Sequence, residues 1–162
     1  MGRMIQQALS RLHSYCQKEE HKGWDLFDGL NSQILKHSPF YRSQILRLAW
    51  IQFFKHSPIN FRRIALIPKG YNPKGLGLFA SGLISSGKVE EARSILDLLK
   101  GMTCSGYQEN CWGYNFDWQA RAFYVPVGKP NIVTTVFVAN AFLDCLSTDY
   151  PSEIETKRHF TG

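Results

Sequence analysis

Three observations predict an all-α protein built from antiparallel helix hairpins. Apolar residues recur three and four positions apart along most of the chain, the period of one helix face. Proline pairs punctuate the first half: "KHSPF" at 36–40, its near-copy "KHSPI" at 55–59, and "YNP" at 71–73. Each places an N-cap residue before a proline at the first helical position. The one β-branched run, Ile132–Val138, continues into Ala139–Leu146 and is long enough to be a buried helix.

Taken in order, Ile5, Ala8, Leu12 and Tyr15 give a first amphipathic helix. Trp24, Phe27 and Ile34 continue the helical spacing with a gap at Leu30–Asn31. Ser38–Pro39 and Ser57–Pro58 are then expected to open helices. Between them Ile45, Leu46, Ala49, Trp50, Phe53 and Phe54 make a stripe broad enough to be buried on most sides. Asn72–Pro73 opens the next helix. Gly75–Ser86 and Val89–Lys100 read as an αα-hairpin turned at "SSGK", the second helix having Glu90 and Glu91 in its first turn and Lys100 in its last, which matches the helix dipole. The glycines at 75, 77 and 82 are poor helix formers and are expected to permit close packing. Residues 131–146 form the last full helix, begun near Pro130, and Pro151–Ser152 marks a further helix start.

At 162 residues the chain is expected to form a single domain, 1–162, and with 44% hydrophobic residues it can bury a sizeable core. No apolar run approaches the roughly 20 residues that span a bilayer. The N-terminus lacks the apolar region of a signal peptide, and Gln6 stands where myristoylation favours Ser or Thr. Four cysteines, Cys16, Cys104, Cys111 and Cys145, fit no zinc or redox spacing. They read as reduced thiols of a cytoplasmic protein, a Cys104–Cys111 disulfide in an exported one being the alternative.

The net charge of +6 is uneven. No acidic residue occurs between Asp28 and Glu90, whereas Lys36, Arg42, Arg47, Lys55, Arg62, Arg63, Lys69, Lys74 and Lys88 all do. An anionic ligand is one reading; a basic surface docking on an acidic surface of the same or a neighbouring subunit is the other. Nucleic acid is not expected, because no binding motif accompanies the charge.

The densest chemical cluster is "WGYNFDWQARAF", Trp112–Phe123. Trp112, Tyr114, Trp118 and Tyr124 could offer flat faces to pyranose rings, with Asp117, Gln119 and Arg121 as the convergent polar groups a pocket needs. Asp117 and Glu109 are the two candidate catalytic carboxylates, since glycoside hydrolysis uses a flanking pair. The competing reading is an aromatic plug in which Trp112, Phe116 and Trp118 close the hairpin ends while Asp117 pairs with Arg121. Thr134, Thr135 and Asn140 are expected to bond within the core or to line a polar cavity. No metal site and no cofactor are expected: the five histidines never approach a ligand spacing, and no phosphate loop or GxSxG is present.

A helix hairpin, then the aromatic loop "GYQENCWGYNFDWQ", then the buried helix "PNIVTTVFVANAFLD" resembles the α/α-toroid proteins, the six-hairpin glycosidases and the terpene-cyclase-like barrels. "GWDLFDGLNS", "RLAWIQFFKHSPINFRRIALIPKGYNPKGLGLF" and "WGYNFDWQARAFYVPVGKPNIVTTVFVANAFLD" are similar to the N-terminal half of an uncharacterised bacterial family associated with polysaccharide-biosynthesis gene clusters. The resemblance implies a partial (α/α) toroid and a carbohydrate or sugar phosphate as ligand, bound through the aromatic loop 107–124. It supplies no catalytic residues. A closed toroid needs on the order of 300 residues, so a missing C-terminal half, or a second copy, is expected as partner. The alternative function is a non-catalytic scaffold that docks a protein through the basic N-terminal half.

Overall fold

A computed structural model describes residues 2–149 of the chain. The protein is all-α, with α1 (Gly2–Lys18), α2 (Gln33–Lys36), α3 (Gln44–His56), α4 (Pro73–Ser85), α5 (Val89–Lys100) and α6 (Ile132–Asp149). Among the described residues the only sheet is one antiparallel pair, β1 (Trp118–Gln119) and β2 (Tyr124–Val125). The β-branched run is helical, inside α6. Asn131 starts that helix, its Oδ1 accepting from the backbone N–H groups of Val133 and Thr134 at 2.9 and 3.2 Å. The helix start expected at Pro151–Ser152 lies outside the described residues.

The residues fall into two compact units. One takes the chain up to Asn72 together with Asn115–Pro126; the other takes Pro73–Tyr114 and the chain from Val127 onward. The aromatic loop is thus shared between units, Trp112 and Tyr114 belonging to the second and Asp117 to Tyr124 to the first.

In the second unit, α4 and α5 form the expected hairpin. Gly87 takes a positive φ of 75° at the turn, and the Lys88 N–H closes it on the carbonyl of Leu83 at 2.9 Å. Helix α6 packs on α4 with backbones in contact: a Cβ at Gly77 would stand 2.9 Å from the carbonyl oxygen of Phe137. Close packing through glycine therefore holds at Gly77 but not at Gly82, which faces open space. Leu76, Ala80, Leu99, Val138 and Ala141 are fully buried here.

In the first unit two expected helices are absent, for identifiable reasons. Ser57–Pro58 ends a helix instead of opening one, and Ser38–Pro39 opens only a short 3-10 helix. Proline forces the residue before it out of the helical region, and Ser57, at ψ 126°, terminates α3. Its hydroxyl then bonds locally, accepting from the Ile59 N–H at 3.3 Å. Ser38, at ψ 153°, similarly follows the end of α2, and Pro39–Arg42 forms only a 3-10 turn. The N-cap that opens α3 is Ser43, whose hydroxyl accepts from the Leu46 N–H. Nor does Trp24–Ile34 form one helix. Asp25 and Asp28 capture local backbone donors, Phe27 N–H on Asp25 at 2.9 Å and Asp25 N–H on Asp28 at 3.0 Å, offering the chain an alternative to helix. What remains is a 3-10 turn at Asp28–Asn31, followed by α2.

Leu30, Leu35 and Ile51 form one core cluster of this unit, with Phe54, Ala65 and Ile67 forming another. Trp50 packs against both, its indole donating to the Gly29 carbonyl at 3.0 Å. The unit also buries an ion pair, Arg62 Nε to Asp28 Oδ1 at 2.8 Å. Residues 61–65 make a single helical turn closed at Leu66, which has φ 53°. That turn aims Arg62 inward, and its Nη2 also donates to the Asp25 carbonyl at 2.8 Å.

The basic stretch is largely engaged within the chain. Lys36 approaches Asp117, Arg62 pairs with Asp28, Lys69 with Glu19 and Lys88 with Glu91. Arg47, Lys55 and Lys74 lie over aromatic rings. Seven of the nine cations between Asp28 and Glu90 thus have an internal partner. Much of the positive charge is used to cover aromatic faces, where cation–π contact adds to packing, and to meet acids, of which Asp28 and Asp117 are buried.

Candidate functional site

The residues from Asn115 to Pro126 form a small hairpin fastened to the first unit by side chains far away in sequence. In β1–β2, Trp118 pairs with Val125 and Gln119 with Tyr124. Gln119 is the fastener. Its amide Nε2 donates to the carbonyls of Ala120 and Phe123, at 2.7 and 3.1 Å, holding the turn of the hairpin. Its Oε1 accepts two bonds from Arg47, at 3.0 and 2.7 Å. Arg47 Nη1 donates to the Tyr41 carbonyl at 2.7 Å, and its guanidinium lies over the Tyr124 ring, 5.0 Å from the centroid. Gln44 completes the attachment by donating to the carbonyl of Arg121 at 2.9 Å.

Beside this strut sits a polar cluster. Tyr41, in the 3-10 turn Pro39–Arg42, donates its phenol proton to Asp117 Oδ2 at 2.5 Å. The Tyr124 hydroxyl lies 3.1 Å from the Tyr41 hydroxyl, and Lys36 Nζ lies 3.8 Å from the same Asp117 oxygen. Burial, followed by the bonds to Asp117 and Tyr124, holds the Tyr41 phenol far above its ordinary value. It therefore stays protonated and serves as a fixed donor at neutral pH. Asp117 is buried, while Tyr124 and Phe123 are exposed and Trp118 is half-buried. Trp118 and Phe123 meet edge to face, with ring centroids 5.2 Å apart. An acid–phenol–phenol chain therefore runs from a buried carboxylate to an exposed hydroxyl, flanked by aromatic rings.

Of the candidate binding residues, the first unit brings together Asp117, Trp118, Gln119 and Arg121. Gln119 is a buried strut, and Arg121 is exposed at the hairpin turn. Trp112 and Tyr114 belong to the second unit, as does the exposed Glu109, so the two candidate carboxylates lie in different units. Trp112 is buried: its indole donates to the Leu99 carbonyl at 2.7 Å, and its ring packs on Phe142 at 6.0 Å. Its backbone N–H and C=O both bond Thr135 Oγ1, at 3.0 and 3.2 Å. This is the core bonding expected of Thr135. The neighbouring Thr134 Oγ1, also buried, has no hydrogen-bond partner. Trp112→Phe is expected to lower the melting temperature, costing about 1–3 kcal/mol because the Leu99 carbonyl loses its buried donor. Thermal unfolding followed by circular dichroism measures it.

Sequence reasoning missed Tyr41, and it placed Arg47 and Lys36 in the basic stretch without their pairing to the hairpin. Nothing local marks them, since each meets the hairpin more than seventy positions away. Among the described residues no three His, Cys, Asp or Glu side chains group to hold a metal ion. All four cysteines are free thiols; burial, and then the adjacent Cys111, raise the Cys104 thiol. No described helix is long and apolar enough to cross a membrane. Compared with family models, curated proteins and solved structures, the chain matches none.

Proposed function

We propose that the protein is a carbohydrate- or sugar-phosphate-binding component of a bacterial surface-polysaccharide pathway, working in the cytoplasm. Its ligand-facing surface is the hairpin 115–126 of the first unit. The observation that carries this reading is the chain Asp117–Tyr41–Tyr124 ending at an exposed phenol, with Trp118 and Phe123 alongside. Sugar recognition needs directional donors and acceptors for hydroxyls, beside flat apolar faces for ring carbons. The cluster offers both in one place. Four free thiols are in keeping with a reducing compartment. The resemblance to α/α-toroid proteins and to the polysaccharide-cluster family supports the ligand class, and a partial toroid belongs to the same proposal.

A glycan array probed with the full chain tests the reading, followed by calorimetry on any sugar retained. Tyr124→Ala and Trp118→Ala should each weaken binding about tenfold, the worth of one aromatic contact of about 1–1.5 kcal/mol. Trp112→Phe should leave the affinity unchanged, since that ring is enclosed in the other unit. Retention of no glycan, or an affinity indifferent to both hairpin substitutions, rejects the proposal.

A further inference from the structure

Helix α1 carries a feature that the hairpin site does not use. At 100° per residue, Met4, Ile5, Ala8, Leu9, Leu12 and Tyr15 fall within an arc of about 140°. Every polar side chain of Gly2–Lys18 falls outside that arc. Among the described residues the side chains of this arc stand open: Met4, Ile5, Leu9, Leu12 and Tyr15 are between 52% and 72% exposed. The far end of the helix is anchored through the buried Cys16 and the Glu19–Lys69 ion pair just beyond it. The helix contains Arg3, Arg11 and Lys18 and no acidic residue. Arg11 and Lys18 lie beside the Met4–Tyr15 edge of the arc, where long basic side chains can reach headgroups while their stems cover apolar surface.

We propose that α1 is a membrane-surface helix. It lies along an anionic phospholipid bilayer with its Met4–Leu12 face among the acyl chains and Arg3, Arg11 and Lys18 at the headgroups. The occupant follows from charge. A segregated apolar arc with a basic, acid-free remainder is the pattern of helices that lie in the interface plane. A second copy of α1 fits worse: pairing would set three cations against three cations with no acid to form interhelical ion pairs. The arc is also wider than a two-stranded seam requires.

The test is flotation of the full chain with vesicles of phosphatidylcholine, alone or doped with phosphatidylglycerol, beside light scattering without lipid. Anionic vesicles should be preferred about a hundredfold, the effect of three basic residues at such a surface. Salt should weaken that preference. The double substitution Leu9→Glu, Leu12→Glu should abolish flotation without changing the melting temperature, because both side chains are exposed. Arg3→Gln, Arg11→Gln and Lys18→Gln together should remove the anionic preference while sparing the apolar face. Equal binding to neutral vesicles, or anionic binding that survives the two glutamates, overturns the proposal. So does a dimer that fails to float and that the glutamates dissociate, which would assign the face to a second copy.

Discussion

Arg62→Met is expected to destabilise the protein by roughly 3–5 kcal/mol, the cost of removing one partner from a buried ion pair. Arg62 and Asp28 are 7% and 3% exposed, so water cannot take the place of the guanidinium. The substitution also strips the Asp25 carbonyl of its donor and removes the cation lying over the Phe54 ring at 5.6 Å. Burial already raises the Asp28 carboxyl above its ordinary value, against the pull of Arg62. A carboxyl raised on folding holds its proton more tightly in the folded chain than in the unfolded one. The folded state therefore gains stability as pH falls through the raised value towards the ordinary carboxylate range, and loses it as pH rises. Without Arg62 the carboxyl must rise further, so the deficit should be largest at neutral pH and shrink on acidification. Urea unfolding of both proteins across that window measures this. Asp28→Asn in the Arg62→Met background should recover much of the loss, since the amide can still accept from the Asp25 N–H. A deficit that ignores both pH and Asp28→Asn would place the cost in packing alone.

The helices legible from sequence are those with an unbroken apolar period. Ile45 to Phe54 announced α3, and Val89 to Leu99 announced α5, because one stripe facing one core suffices to define a helix. The proline pairs were ambiguous for a physical reason. Proline both favours the first helical turn and excludes helix from the residue before it. At Asn72–Pro73 the first effect prevails and α4 begins. At Ser57–Pro58 the second prevails, because α3 already runs up to His56. The site was half legible. Its aromatic and acidic members stand out in composition, but Trp112 and Trp118 look alike in sequence and have opposite surroundings, one enclosed with Leu99 and Phe142 and the other on the hairpin. The partners that organise the hairpin, Tyr41 and Arg47, come from a 3-10 turn and a helix surface. Such long-range pairings leave no trace in local spacing.

Gly113→Ala should be the most disruptive single methyl group in the second unit, costing roughly 3 kcal/mol, the upper end for overpacking a close-packed site. A Cβ at Gly113 would stand 2.0 Å from the carbonyl oxygen of Lys129 and 2.9 Å from its carbon. Those are backbone atoms, so no rotamer change can relieve the overlap. One of the two segments must move by more than an ångström. Both segments are tied down through Trp112 and Asn131. The Trp112 carbonyl accepts from the Asn131 N–H at 2.9 Å, next to the cap that starts α6, and the Trp112 indole is held on the Leu99 carbonyl at the end of α5. Moving the 112–113 segment unseats that tryptophan; moving 129–131 strains the cap of α6. Gly82→Ala is the matched control. It lies inside α4 with nothing within 4 Å of its added methyl, so it should stabilise by about 0.5–1 kcal/mol through helix propensity. Thermal melts of the two variants should therefore shift in opposite directions. A Gly113→Ala protein that melts with the parent would mean that 111–113 does not lie against 129–131. The route by which Trp112 is enclosed would then have to be redrawn.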